Sequence, residues 1–201
     1  MKQKRVSNIR RRNFIAGAVA TPLILATGGV VPRRALAATP SCGDEATPPQ
    51  TAGPFFKPDS PRRVSLVDPG MQGERFKLTG KVLSTSCEPV SGALIDFWHC
   101  DANGRYDNRG YTFRGHQFSD AQGVFALETL LPGLYPRRTR HIHVIVQAPN
   151  RRPLTTQLYF PGEAYNRHDF IFDPKLLMTM QQASDQRDAQ FDFVLDLGRR
   201  A

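Results

Sequence analysis

The feature that most narrows what this chain can fold into is a series of short alternating segments, each closed by Gly, Pro or Asn. Phe76–Leu83, Ala93–His99, Val124–Leu127, His141–Gln147, Thr155–Phe160 and Phe191–Leu197 alternate apolar and polar positions. A period of two sends successive side chains to opposite faces of a strand. The breaks at Ser84–Pro89 and Gln122-Gly123 are turns, too short to carry crossover helices. The expectation is an all-β chain, an antiparallel β-sandwich. Pro174–Gln182 is the one segment that reads as a helix, and a short one. Internal repeats, low-complexity tracts and P-loop signatures are absent.

The same alternation assigns chemistry to faces. In Ala93–His99, Leu94, Asp96 and Trp98 share one face, and Ile95, Phe97 and His99 the other. In the next distinctive strand His141 and His143 point one way and Ile142 the other. Two imidazoles roughly 7 Å apart on one face can grip a single metal ion. Gly104-Arg105-Tyr106 and Pro132-Gly133-Leu134-Tyr135 each set a tyrosine just after a glycine-containing turn, where a phenol can be aimed inward. As phenolate, a tyrosine is a hard anionic ligand suited to Fe(III).

These pieces form a longer series. It runs Trp98-x-x-Asp101-x-x-Gly104-x-Tyr106, Arg114-Gly115, Asp120-x-x-Gly123-x-Phe125, Pro132-Gly133-x-Tyr135, Arg138-x-x-His141-x-His143 and Gln157-Leu158-Tyr159-Phe160. The series resembles the intradiol ring-cleavage dioxygenases, the protocatechuate 3,4-dioxygenase subunits most closely, over about residues 50 to 197. The resemblance implies a sandwich with long active-site loops and a non-heme Fe(III) centre. It implies that O2 and a small aromatic diol are the reactants, and that the ring opens between its two hydroxyls to a muconate-type diacid. Tyr106 and His141 become equatorial ligands, and Tyr135 and His143 axial ones, with Tyr135 leaving when substrate binds. Arg138 matches the arginine that stabilises charge developing on the ring, and Gln157 a pocket glutamine. Gly53 and Pro54, in Thr51-Ala52-Gly53-Pro54-Phe55-Phe56, match a segment that runs past the mouth of the site. By residue type alone that segment is a turn with two anchoring aromatics.

The ligand set is balanced in charge. Fe(III) with two tyrosinates, two neutral histidines and a hydroxide sums to zero. A catechol dianion replacing the hydroxide and one tyrosinate keeps it there, which matters where uncompensated charge is expensive. No reductant or organic cofactor is required.

Other polar residues read as structural. Trp98 is expected in the core beneath the ligand loop, and Asp101 and Asp120 as caps of their turns. His99 faces away from Trp98, while His116 and His168 are expected at the surface. Arg114 stays open between a buried ion pair and a substrate contact. Arg137 stands where protocatechuate enzymes often carry Trp, and can face either an anionic substituent or water. The long helical N-terminal region of catechol and hydroxyquinol dioxygenases is missing, which favours the protocatechuate type of architecture.

Residues 1–37 hold no acidic residue and eight basic ones, with Arg11-Arg12-Asn13-Phe14-Ile15 ahead of an apolar run to Val31. This fits a twin-arginine signal peptide cut after Ala35-Leu36-Ala37, and Pro22 and several glycines make the run a poor membrane span. The expected layout is a leader over 1–37, an N-terminal arm and site-lining segment over 38–75, and the catalytic sandwich over 76–201. The expected location is periplasmic. The formal charge of +9 belongs to the precursor: without the eight leader cations, 19 Lys and Arg face 18 Asp and Glu. No nucleic-acid footprint remains, no membrane association is expected after cleavage, and a homo-oligomer stays open. Cys42, Cys87 and Cys100 suggest one disulfide in an oxidising compartment. Cys87 and Cys100 at opposite ends of a turn and strand would lie roughly 40 Å apart, so Cys42 is expected to pair with one of them, without a choice between the two.

Two rival readings use the same residues. One is a non-catalytic exported β-sandwich that binds carbohydrate or protein. The other is a cupin-like Fe(II) or Mn(II) enzyme, for which His168 and Glu163 are the nearest extra ligands, in the wrong order.

Overall fold

The computed structural model describes Cys42, residues 45–182 and residues 187–198. The leader expected over residues 1–37 lies outside them. Among the described residues nine strands fall into two sheets. The first is β3-β2-β5-β6, formed by Arg114–Phe118, Leu94–Trp98, His141–Gln147 and Leu154–Tyr159, all neighbours antiparallel. The second is β4-β1-β8-β7, formed by Val124–Leu130, Arg75–Ser84, Arg187–Gln190 and Thr179–Gln182. The last strand, β9 (Phe193–Leu195), pairs with the end of β1. The β1 pairings with β8 and β9 are parallel, so the second sheet is mixed rather than purely antiparallel.

The helix expected over Pro174–Gln182 is not formed. Pro174–Leu176 is a single 3-10 turn, with the Asp173 carboxylate accepting from Lys175 N, and Thr179–Gln182 is the edge strand β7. Leu176, Leu177 and Met180 carry apolar spacing that fits a helix turn. Pairing with β8 and burial of Leu176 and Met178 outweigh that local preference.

The core lies between the sheets. Phe76, Leu78, Phe125 and Leu127 from the second sheet meet Ile95, Phe97, Ile142, Val144 and Leu158 from the first. Phe97 and Phe125 touch across the gap, ring centroids 5.9 Å apart. Because Ile142 and Val144 are committed to this core, His141 and His143 must face outward from the first sheet.

That outer face is covered by the chain itself. The segment leading into β1 bonds to β9 through Thr47, to β6 through Gln50, to β3 through Arg63 and to β4 through Leu66. On the way it buries Ser60, whose hydroxyl donates to Asp96 and whose carbonyl accepts from His116. His116 is therefore half-buried under this strap instead of exposed, whereas His168 is exposed as expected. Cys42 is disulfide-bonded to Cys87 (Cα–Cα 4.9 Å), and Cys100 is a buried free thiol.

Candidate metal centre

The register of the first sheet sets one row of side chains across all four strands. Arg114 faces Trp98, Trp98 faces His143, and His143 faces Gln157. All four are buried. Trp98 is buried as expected, and its ring stacks on His143 at 4.9 Å with an interplanar angle of 3°, so it also forms a wall of the site. Its indole N–H has no hydrogen-bond partner among the described residues.

Two loops deliver the tyrosines. Asp101 caps the first, its carboxylate accepting from Asn103 N and Arg105 N, and Asp120 caps its own turn in the same way. Gly104 and Gly133 let the loops lie against each other. A Cβ on Gly104, which sits at φ +77°, would meet Leu134 O at 2.1 Å, and one on Gly133 would meet Ala102 O at 2.4 Å. Only glycine permits that approach. It brings the Tyr106 and Tyr135 rings to 5.7 Å, with Phe55 stacked on Tyr106 at 4.4 Å and edge-on to Tyr135 at 5.3 Å.

The donors converge as follows. His141 Nδ1 lies 2.6 Å from Thr139 O, and a carbonyl can only accept, so Nδ1 carries the proton and Nε2 presents a lone pair. That Nε2 is 3.2 Å from His143 Nε2 and 3.2 Å from the Tyr106 hydroxyl. Two nitrogens at right angles about one ion, each about 2.1 Å from it, would lie about 3 Å apart. Three donor atoms around one point with too few protons among them fit a cation. His143 Nδ1 is buried without a partner among the described residues, free to keep the proton when Nε2 binds. Burial lowers the pKa of His141 to about 4, with Arg138 adding to the effect, and lowers that of His143 well below its ordinary value, so both imidazoles are neutral. Burial likewise pushes the Tyr106 phenol up, so a phenolate there requires a cation beside it. Tyr135 is half-buried, and its hydroxyl makes no hydrogen bond among the described residues.

Among the described residues no three His, Cys, Asp or Glu side chains cluster, so an ion here would take phenol oxygens. Glu163 pairs with Arg140 at 2.8 Å and is not available as a carboxylate ligand of the cupin kind.

The expected pocket residues are brought together. Arg138 Nη2 donates to Gln157 Oε1 at 2.7 Å, and Gln157 Nε2 donates to Thr51 O at 3.0 Å. Gly53, at φ +67°, lies against the His143 ring, where a Cβ would be 3.4 Å from Cε1. Pro54 and Arg137 are exposed. Three participants had not been assigned from sequence. Asp169, its side chain fully buried, holds Arg138 Nε at 2.8 Å and Thr139 N at 2.9 Å. Phe55 packs between the tyrosines. Tyr159, facing His141 across β5 and β6, donates to Gln50 and lies within reach of Arg138. Only the Gln-x-Tyr spacing after the histidine strand could have signalled Tyr159.

Comparison with known proteins bears on this arrangement. A family model described as dioxygenase matches residues 52–197. The chain is similar to catechol 1,2-dioxygenase of Pseudomonas sp. (strain EST1001), 28% identical over 153 residues, 63% of this chain and 51% of that one. It is similar to hydroxyquinol 1,2-dioxygenase of Nocardioides simplex, 31% identical over 155 residues, 65% and 53% of the two chains. The chain thus spans about half the length of these relatives. Among solved structures it is similar to the dioxygenase domain of a dioxygenase–carbohydrate-binding fusion from Streptomyces sp. SirexAA-E. The two are 54% identical, with TM-score 0.75, covering 77% of this chain and all of that one. Hydroxyquinol 1,2-dioxygenase from Pseudomonas putida DLL-E4 gives 26% identity and TM-score 0.69 over 75% and 66% of the chains.

Proposed function

The chain belongs to the intradiol ring-cleavage dioxygenases, and from that premise we propose that it opens a catechol-type ring between its two hydroxyls with O2, giving a muconate-type diacid. The observation that carries this reading is His141 Nε2 lying 3.2 Å from both His143 Nε2 and the Tyr106 hydroxyl, with Tyr135 alongside. We take Tyr106, Tyr135, His141 and His143 as the residues that hold Fe(III). When bound, the ferric ion supplies a Lewis acid for the catecholate and an electron acceptor that opens the ring to O2.

The protein residues do the rest. Tyr106, covered by Phe55, stays deprotonated and keeps its charge on the centre throughout. Tyr135, whose hydroxyl makes no hydrogen bond among the described residues, would be the phenolate able to take a proton from the diol. Arg138 is fixed by Asp169 and Gln157, while its Nη1 has no partner among the described residues and can face negative charge on the ring. Gly53 and the strap residues around it cover His143 and limit water.

We also propose that the protein is exported by the twin-arginine route to the periplasm. Arg11-Arg12, the apolar run and Ala35-Leu36-Ala37 support this, and a Cys42–Cys87 disulfide suits an oxidising compartment. The direct test of the centre is metal content and colour. The reading expects about one Fe(III) per chain, as required by one ligand set, and a red-brown tyrosinate charge-transfer band. A colourless protein carrying zinc after growth on adequate iron would contradict it.

A further inference from the structure

Arg114 is a buried cation that the proposed chemistry does not use. It stands at the start of β3, opposite Trp98, and is 2% exposed. Among the described residues it forms no ion pair, so it is not the buried salt bridge that its sequence left open. Its Nη1 donates to Phe55 O at 2.7 Å and its Nε to Asp107 O at 3.1 Å. The nearby Asp107 carboxylate is occupied with its own loop, accepting from Arg109 N, Gly110 N and Thr112 N.

Those two carbonyls belong to segments far apart in sequence that meet at one ring. Phe55 stacks on Tyr106, and Asp107 is the residue after Tyr106. One planar fork therefore ties the covering ring to the ring it covers, a span that Arg makes with fixed geometry. The backbone just before it is held in an unfavourable state. Phe113 sits at φ +54°, unusual for a bulky residue, and is kept there by its ring stack on His99 and its carbonyl bond from His99 N. A buried charge with no ion pair among the described residues, next to backbone strain, is costly to keep unless the placement matters.

We propose that Arg114 is a positioning residue for Tyr106, holding the phenol toward His141 by bridging Phe55 O and Asp107 O. The proposal rests on the reading of Tyr106 as a metal ligand. Arg114→Met removes both bonds, and Arg114→Lys keeps the charge but reaches only one carbonyl. Arg63→Met is the control, because Arg63 makes comparable bonds to nearby carbonyls, to Arg114 O at 3.0 Å and Tyr111 O at 2.7 Å, without bonding Phe55 or Asp107.

The first measurement uses metal-free protein, with nitration of Tyr106 by tetranitromethane followed by peptide mass. The expected result is a several-fold faster modification of Tyr106 in both Arg114 variants and none in Arg63→Met. The second uses the Fe(III) form. Arg114 variants should lose about 10–100-fold in iron affinity, the range seen when the partners of metal ligands are removed, and should shift the tyrosinate band. Arg63→Met should lower only thermal stability. If Arg114→Met does not fold, Arg114→Lys carries both readouts. Unchanged Tyr106 nitration in the Arg114 variants, or equal effects in Arg63→Met, would overturn the proposal. A wild-type protein that takes no ferric ion would instead overturn the proposed function, while nitration would still decide the role of Arg114.

Discussion

Trp98 and His143 face each other across β2 and β5 with their rings parallel, 4.9 Å apart. Trp98 is the chain's single tryptophan, so its emission reports on one imidazole that the proposed centre uses. Adding Fe(III) to metal-free protein should quench Trp98 fluorescence in step with the rise of the visible band. His143→Ala should abolish both responses, because it removes a donor atom and the stacked ring together. Quenching that survives in His143→Ala would place the metal elsewhere.

Arg138 and Asp169 form a buried pair, and breaking such a pair by removing one partner costs about 3–5 kcal/mol. Asp169→Ala should therefore lower the melting temperature markedly and also free Arg138 from its position beside Gln157. Asp169→Asn, whose oxygen can replace the one that accepts from both Arg138 Nε and Thr139 N, loses the charge opposite Arg138 and the bond from Ile171 N, and should be milder in stability yet still slow turnover. Steady-state kinetics of Asp169→Asn should show the loss mainly in kcat, with iron content unchanged. A normal kcat would remove Arg138 from the reaction.

Metal-free protein should lose stability in mild acid. Burial lowers the pKa of His99 to about 4, against 6.5 for a free histidine, and that of His141 to about 4, with His143 lowered in the same direction. Between pH 6.5 and 4 the unfolded chain binds protons that the folded chain does not, so stability rises with pH there. It is fully present above about pH 6.5 and is lost as pH falls toward 4, at roughly 3 kcal/mol each for His99 and His141. His99 Nδ1 donates to Cys100 O at 2.7 Å and its Nε2 accepts from Thr129 at 2.7 Å, so the neutral ring is fully used. His99→Gln should lower stability at neutral pH and flatten the acid slope in urea melts taken from pH 7 to 4.5. An unchanged slope would mean His99 does not contribute.

The contact between the two tyrosine loops gives a geometric test. Gly104→Ala would push a methyl into Leu134 O, 2.1 Å away, from a left-handed backbone position. The loops must then separate, and Tyr135 with them. The expected outcome is a folded protein with weakened iron binding and an altered tyrosinate band. Retention of the wild-type spectrum would show that loop spacing does not set the centre.

Much of this centre can be read from strand arithmetic. The alternation that commits Ile142 and Val144 to the core sends His141 and His143 to the outer face. The Asp101 and Asp120 turns follow from Asx chemistry, whereas Arg138 is marked only by the family resemblance, since it precedes the strand His141–Gln147. What escapes that reading depends on contacts between distant segments. Asp169 sits in an irregular stretch 31 residues from Arg138, with no periodicity to mark it. The strap over His116 hides a residue whose polar neighbours suggest exposure. Phe55 and Arg114 gain meaning only once the arm is laid across the sheet. Strand length argues against Cys87 pairing with Cys100 but cannot choose a partner for Cys42, since an arm can reach either end. Thr179–Gln182 reads as helix in sequence because an edge strand of four residues is decided by its neighbour β8, not by its own pattern.

The most direct test is the product and the unequal parts of the two tyrosines. Under anaerobic catechol, Tyr135→Phe should still bind substrate but slow its full deprotonation, and Tyr106→Phe should change the colour of the substrate complex itself. On admitting isotopically labelled O2, wild-type protein should yield a muconate-type diacid with one label in each new carboxyl group. An extradiol semialdehyde, unlabelled product, or identical behaviour of Tyr106→Phe and Tyr135→Phe would contradict the account.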